Sequence, residues 1–182
     1  MALAYRSPLL NSHSAEHIML IYRRDYERDN AVIGFINDGL KRNQICVYAV
    51  VSMDEKTIVR MSTEITSYTT NIEQGNLLMM TLRPFYNATG FLNPTQFEDI
   101  RVQLEENMAR NRSKQILFIG DLDGFLFKNK KFGECKFLEE WWQKKPFEGS
   151  YICTYHDSIL NEYPYTEYKD GIFRSHDKVM LC

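Results

Sequence analysis

Five near-continuous apolar runs divide this chain, and stretches with helical spacing separate them. The runs occupy residues 17–22, 45–51, 77–82, 115–120 and 151–155. Strands that are covered on both faces of a parallel sheet show continuous apolar runs, whereas strands with one solvated face alternate. The pattern therefore predicts five buried strands in a mostly parallel sheet.

The segments between the runs place apolar residues three and four positions apart, as amphipathic helices do. We predict helices over residues 31–43 (with Asn30 as N-cap), 54–68, 94–112 and 133–144. Periodicity weakens after the fifth run, so we expect a loop or short helix within 158–169 and a final strand or helix within 177–182. Alternating strands and helices predict a three-layer α/β fold, a mostly parallel central sheet of five or more strands with helices on both faces.

The bulk composition narrows the class of protein. The 182 residues suit one α/β domain, with residues 1–14 as an N-terminal extension and 158–182 as a less regular C-terminal part. A net charge of −2 with interspersed signs provides no basic face for nucleic acid. The longest apolar runs, about eight residues, are far below the roughly 20 needed to span a bilayer. Scattered cysteines and no signal-peptide pattern favour the cytoplasm.

The turn after the first predicted strand carries the main functional information. A P-loop at this place contains glycines whose backbone N–H groups surround phosphates, and a lysine that reaches the terminal ones. Residues 23–30 (RRDYERDN) contain no glycine or lysine, and three acidic side chains would repel a triphosphate. The order of strand, turn, helix and strand over residues 17–51 is that of a nucleotide-binding βαβ unit with a degenerate P-loop. We therefore expect no ATP hydrolysis, no catalytic residues and no cofactor.

Ligands of an open parallel sheet bind outside the carboxyl ends of its strands. The polar and aromatic side chains at these ends would form a pocket with aromatic walls, carboxylates and arginines, which suits a small molecule. Other side chains expected there include Ser52, Asp54, Arg83, Phe85 and Tyr86. The candidate ligand-binding residues are His17, Tyr22, Arg24, Asp25, Asp121, Asp123, Trp142, Tyr155 and His156.

Two of these candidates have a second interpretation. Asp121 ends an apolar run as the aspartate of a Walker B strand does, but aspartate is also common as a turn residue that accepts an N–H, which we favour. Trp141 and Trp142 could form a ligand cage, but adjacent helical residues point about 100° apart, so we favour Trp142 in the core.

A metal site or a thiol nucleophile can be written for Cys153-x-x-His156. His13, His17 and His176 lie elsewhere in the chain. Structural zinc needs four ligands, usually as two paired sets, and only one loose pair is visible. No third group that would orient a Cys–His pair is evident either. We therefore predict no metal ligands.

The chain resembles the MEDS domain, the sensory module of DcmR-type regulators from methanogens and methylotrophs. The resemblance rests on short motifs in the expected order. They are His17-Ile-x-x-Ile-Tyr22, Phe35-Ile-Asn-Asp-Gly-Leu40, Leu138-Glu139-x-x-Trp142 with Pro146-Phe147, Cys153-Thr-Tyr155 and His176-Asp-Lys-Val179. Glu16 stands where many members carry the first of two histidines.

The resemblance implies a RecA/KaiC-like fold without ATPase motifs and a sensor for small compounds, with hydrocarbon derivatives proposed as ligands. Such domains are often attached to a DNA-binding or kinase output domain, which these 182 residues do not contain. We therefore expect signalling in trans through a regulatory protein or kinase partner, with a homo-oligomer as another possibility.

Three functions remain open from the sequence. The leading hypothesis is a non-catalytic domain that senses an unknown small molecule. The second is a structural or oligomerising protein, for which the tyrosines at 163, 165 and 168 would supply contact area unless they only cover a sheet edge. The third is an atypical nucleotide-binding enzyme that uses Asp121 and Asp123.

Overall fold

The computed structural model describes residues 16–82, 98–99, 102, 105–106, 115–144, 148–161 and 166–182. Six strands in these residues form one sheet, and all their pairings are parallel. The strands are β1 (His17–Tyr22), β2 (Ile45–Val50), β3 (Leu77–Thr81), β4 (Ile116–Gly120), β5 (Gly149–His156) and β6 (Lys178–Leu181). Their order across the sheet is β3-β2-β4-β5-β1-β6.

Helices cover both faces of this sheet. They are α1 (Asp25–Lys41), α2 (Glu55–Glu64), α3 (Tyr68–Glu73), α4 (Leu122–Lys128), α5 (Phe132–Gln143), α6 (Asp157–Asn161) and α7 (Thr166–Arg174). Alternate side chains of a strand point to opposite faces, so Ile18 and Leu20 pack with α1 while Met19 and Ile21 pack on the side of α4, α5 and α7. The predicted three-layer α/β fold with a parallel sheet is confirmed.

The five predicted strands are confirmed with small shifts at their ends, and the final element within 177–182 is the strand β6. Its register places Val179 beside Met19 of β1. None of the helices in the described ranges is both long and apolar enough to cross a membrane. The predicted helix 94–112 lies mostly outside the described residues; positions 98–99, 102 and 105–106 are helical.

Two helix predictions are wrong in their bounds. Helix α1 begins at Asp25 and not at 31, because the Glu27 carboxylate accepts the Arg24 backbone N–H at 3.1 Å and closes the first turn. Asn30 is therefore inside the helix and not its N-cap. The predicted helix 54–68 ends early, at Glu64, and Ser67 takes a left-handed φ of 51° before a separate helix, α3, begins at Tyr68.

Helix α4 was missed, and its position depends on a glycine. A Cβ atom added at Gly124 would lie 2.2 Å from the carbonyl oxygen of Thr154 in β5. Real Cβ atoms do not approach a backbone oxygen so closely, so any larger residue would push α4 away from the sheet. The absence of a side chain at this position lets α4 lie directly against β5.

We expect Gly124→Ala to lower the free energy of unfolding by about 2–3 kcal/mol, the usual cost of forcing extra volume into a packed interior. The matched control is Gly133→Ala in α5, where an added Cβ meets nothing within 4 Å and alanine's higher helix propensity should be neutral or stabilising. Urea denaturation of both variants measures the difference. Equal stabilities of the two variants would contradict this close packing.

Candidate functional site

Five of the predicted site residues lie near the carboxyl edge of the sheet, as expected from the parallel topology. The rings of Tyr22 and His156 meet edge to face with centroids 5.2 Å apart. The guanidinium of Arg28 lies 5.4 Å over the Tyr22 ring. Arg24 and Asp25 begin the adjacent helix α1.

The charged residues at this edge form local pairs. Arg24 bonds to Glu27, and Asp25 lies 3.4 Å from Arg28. Only Arg23 and Arg24 separate β1 from α1, so the connection is shorter than the predicted turn 23–30. A depression of about 500 Å³ lies here, with a lining that includes Arg23, Arg24 and Glu27.

Asp121 acts as the acceptor that its turn position predicts. Its carboxylate accepts the N–H of Val51 at 2.7 Å and so joins the ends of β4 and β2. Burial raises the pKa of this carboxyl to about 6, against the opposing effects of the Val51 N–H and Arg28. The N–H acceptor interpretation is therefore confirmed.

The other four predicted residues lie on the face of the sheet that α4, α5 and α7 cover, and not at its carboxyl edge. For Asp123 and Tyr155 this corrects the predicted location at the strand ends. Trp142 packs against Phe118 and Tyr151 with ring centroids 4.6 and 5.2 Å away, so its predicted place in the core is confirmed. Asp123 is buried in α4, and burial raises its pKa to about 7. His17 belongs to a set of polar side chains on the same face, and the hydroxyl of Tyr155 contacts one member of that set.

That set is a buried cluster of His17, Glu139, Cys153 and His176, called here the His–Glu–Cys cluster. Each residue is at most 9% exposed. The Nε2 atom of His17 lies 3.4 Å from Cys153 Sγ and 3.5 Å from Glu139 Oε2. The Nε2 atom of His176 lies 3.4 Å from the same carboxylate oxygen. Four segments of the sequence, 159 positions apart at the extremes, thus meet at this cluster.

Backbone carbonyls fix the orientation of both imidazole rings. Nδ1 of His17 lies 2.8 Å from the oxygen of Ser175, and Nδ1 of His176 lies 2.8 Å from that of Ile172. A carbonyl oxygen only accepts hydrogen bonds, so each Nδ1 carries a hydrogen and each neutral ring keeps its lone pair on Nε2. Both lone pairs are therefore on the nitrogen that faces Glu139.

The Glu139 carboxyl has two hydroxyl partners. The Tyr155 hydroxyl donates to Oε1, and the Ser175 hydroxyl lies 2.9 Å from Oε2. Burial raises the pKa of Glu139 and of Cys153 well above their usual ranges, and it lowers the pKa of His176 to about 3. The three shifts share one physical cause, the exclusion of water, which disfavours the charged form of each group.

A pocket of about 840 Å³ lies against this cluster, between α5 and α7. Phe127, Phe132 and Tyr168 line it, and the Phe132 and Tyr168 rings stack with centroids 3.9 Å apart. Glu139 and Ser175 also line the pocket. Glu139 thus belongs both to the pocket wall and to the His–Glu–Cys cluster, and Ser175 of the wall is hydrogen-bonded to it.

Sequence reasoning missed Glu139, Ser175 and this pocket. The available signal was the helical pattern of α5, where Cys135, Leu138 and Trp142 define the buried face and Glu139 falls on it. Glutamate is rarely buried without a partner. A glutamate on the apolar face therefore indicated a polar partner on the sheet. The partner His176 could not be placed, since its position depends on how β6 docks.

The sequence profile of MEDS, the MEthanogen/methylotroph, DcmR Sensory domain, matches residues 16–171. The chain belongs to the MEDS family. None of the curated proteins matches this MEDS chain in sequence. The flagellar accessory protein FlaH from Methanocaldococcus jannaschii is a similar solved structure: it is 13% identical, with a TM-score of 0.47, over 91% of this chain and 70% of FlaH. Identity this low does not carry the role of FlaH over to this chain.

Membership in the family makes this MEDS chain a sensory domain. The profile covers all five predicted strands, the glycine-free β1–α1 connection and most of the pocket lining, including Glu139 and Tyr168. His176 of the cluster follows the matched region by five residues.

The raised pKa of Asp121 predicts a pH dependence of stability. Below about pH 4 the carboxyl is protonated in both the folded and unfolded chain. Between about pH 4 and 6 the unfolded chain ionises while the folded chain keeps the proton, so the free energy of unfolding falls as the pH rises. We expect Asp121→Asn to flatten the curve of unfolding free energy against pH in this window, measured by urea denaturation. If the two curves of unfolding free energy against pH ran parallel in this window, Asp121 would make no such contribution.

Proposed function

We propose that this MEDS domain senses a small organic acid with an apolar body, bound in the pocket between α5 and α7. The observation that carries the proposal is the pocket itself, which has the volume of a typical small-molecule site and joins aromatic walls to a few polar groups. The Phe132–Tyr168 stack would cover the apolar body of the ligand.

The charges of the pocket favour an acid. Four lysine and arginine side chains line it, and two of them are paired with glutamates, at 4.0 Å for Lys131 with Glu134 and 3.7 Å for Lys136 with Glu140. Lys130 and Arg174 add further positive charge to the lining. An anionic group on the ligand would neutralise this charge, whereas a cation would be repelled.

Ligand binding would act on the sheet through Glu139 and Ser175, two residues of the pocket wall that are hydrogen-bonded to each other. Ser175 and His176 lie in the short segment before β6, and Ser175 contacts Glu139, which the ligand would also meet. A ligand that binds one arrangement of α7 better than another shifts the population towards it. We propose that this shift is read by a partner protein in trans, and that the domain itself is non-catalytic.

The ligand prediction can be tested with short aliphatic and aromatic carboxylates and the matching uncharged alcohols. We expect acids to raise the melting temperature and to bind more tightly than the alcohols in calorimetry. Arg174→Gln should weaken acid binding by about tenfold or more, the typical cost of losing a hydrogen bond to a charged group. Binding of the alcohols should change little.

The matched control is Arg24→Gln, which removes an arginine from the depression at the carboxyl edge. Acid binding that is lost in Arg24→Gln but kept in Arg174→Gln would move the ligand to the edge predicted from the sequence. No stabilisation by any acid would refute the proposal.

A second candidate function, an interaction module, is favoured by the edge strand β6. Val179 and Leu181 are 41% and 76% exposed on a strand at the end of the sheet. An exposed apolar edge strand is a common surface for pairing with another chain. In this case β6 would pair with β6 of a second copy.

Sedimentation velocity over a range of concentrations tests this pairing. We expect the wild type to associate and Leu181→Asp to be monomeric, because a charge on each of two paired edges is repulsive. Val59→Asp is the control, since Val59 is an apolar residue that is 56% exposed and lies in α2, a helix outside the sheet that follows β2. A monomeric wild type at high concentration would exclude the pairing.

A further inference from the structure

The histidine–glutamate distances in the His–Glu–Cys cluster are longer than those of direct hydrogen bonds. Nitrogen–oxygen hydrogen bonds have donor–acceptor distances of about 2.7–3.2 Å. The two Nε2 atoms lie 3.5 and 3.4 Å from Glu139 Oε2. Nε2 of His176 is buried and has no hydrogen-bond partner among the described residues. The Nε2 atoms of both histidines thus converge on Glu139 Oε2 from distances of 3.5 and 3.4 Å.

These distances fit four ligands around one metal ion. Tetrahedral zinc has bonds of about 2.0–2.1 Å to nitrogen and oxygen and about 2.3 Å to sulfur, so neighbouring ligand atoms are about 3.3–3.6 Å apart. Three of the pairs in the cluster are at 3.4, 3.5 and 3.4 Å. All four ligand atoms lie within 4.8 Å of one another.

The surrounding hydrogen bonds are those that orient metal ligands. Ligating histidines usually donate their other ring N–H to a carbonyl or carboxylate, which fixes the tautomer. Both histidines of the cluster have a backbone carbonyl 2.8 Å from Nδ1. The Glu139 carboxylate is likewise held by Tyr155 and Ser175.

We propose that His17, Glu139, Cys153 and His176 bind a divalent transition-metal ion of the zinc class through Nε2, a carboxylate oxygen, Sγ and Nε2. Two imidazoles with a thiolate and a carboxylate are a borderline set that suits zinc better than magnesium or calcium, which prefer oxygen ligands. The sequence favoured no metal because Cys153 and His156 were the only visible pair. His156 lies away from the site, where its Nδ1 is 2.8 Å from the Ser158 hydroxyl.

The charges of the proposed site balance. A thiolate from Cys153 and a carboxylate from Glu139 carry two negative charges, so with Zn²⁺ they form a neutral buried unit. A buried charge is tolerated when it is paired in this way or coordinates a metal. Glu139 also lines the 840 Å³ pocket, which supplies a route for the ion from solvent.

The first test uses the wild-type chain. After chelator treatment and dialysis, the chain is titrated with Co²⁺ and separately with Zn²⁺. We expect about one ion per chain in native mass spectrometry. We expect the cobalt form to show intense visible bands of a tetrahedral site and a near-ultraviolet thiolate-to-cobalt charge-transfer band, and Zn²⁺ to displace cobalt and raise the melting temperature.

Variants then identify the ligands. Cys153→Ser should lose the charge-transfer band, and His176→Gln should bind the ion at least about tenfold more weakly. Tyr155→Phe leaves all four ligands in place and removes one orienting hydroxyl, so it should weaken affinity by about 10–100-fold. Cys46→Ser, which changes a buried cysteine on the opposite face of the sheet, and His156→Gln are matched controls and should bind as the wild type does.

No cobalt spectrum in the folded wild-type chain, or a spectrum that survives Cys153→Ser, would overturn the proposal. This outcome holds even if a variant fails to fold, because the first test needs no substitution. The metal proposal goes beyond ligand sensing and is tested without organic acids. Acid binding measured on both the metal-free and the zinc-loaded chain separates failure of one proposal from failure of the other.

Discussion

The burial of one carboxyl group, that of Glu139, constrains much of this structure. A polar group without water has to find partners, since leaving it unsatisfied costs about 1–3 kcal/mol or more. Glu139 meets Tyr155 from β5, His17 from β1, and Ser175 and His176 from the segment before β6. One side chain of α5 therefore fixes how two strands, a helix and the last segment of the chain are arranged.

Much of the fold could be predicted from the sequence because its cause is local. The apolar runs of β1, β2 and β4 are buried on both faces, and continuous burial is what made a parallel sheet predictable. Helix starts were less predictable. The start of α1 depends on a carboxylate three residues along, and α4 depends on contact between Gly124 and Thr154, which are 30 positions apart.

The predicted site map assumed that function lies where the strands end. That rule placed Tyr22, Asp121 and His156 correctly at the edge, because the direction of a strand alone decides which residues lie at its carboxyl end. It could not find the His–Glu–Cys cluster, whose members start β1, occupy the middle of β5, lie on α5 and precede β6. Such a site depends on which faces meet, and periodicity gives the face of each residue but not its neighbour. Glu139 on an apolar helix face was the one local sign.

The cluster also connects the pocket to the edge of the sheet. The backbone N–H of Asp177 donates to the carbonyl of His17 at 2.8 Å, and the N–H of His17 donates to the Asp177 carboxylate at 2.9 Å. His17 further contacts the Ser175 carbonyl, so the segment that begins β6 is held to β1 at the cluster. Any change in the protonation, ligation or position of Glu139 therefore acts directly on the docking of an edge strand. In the proposal that a ligand binds between α5 and α7, β6 is therefore the strand on which binding would act first.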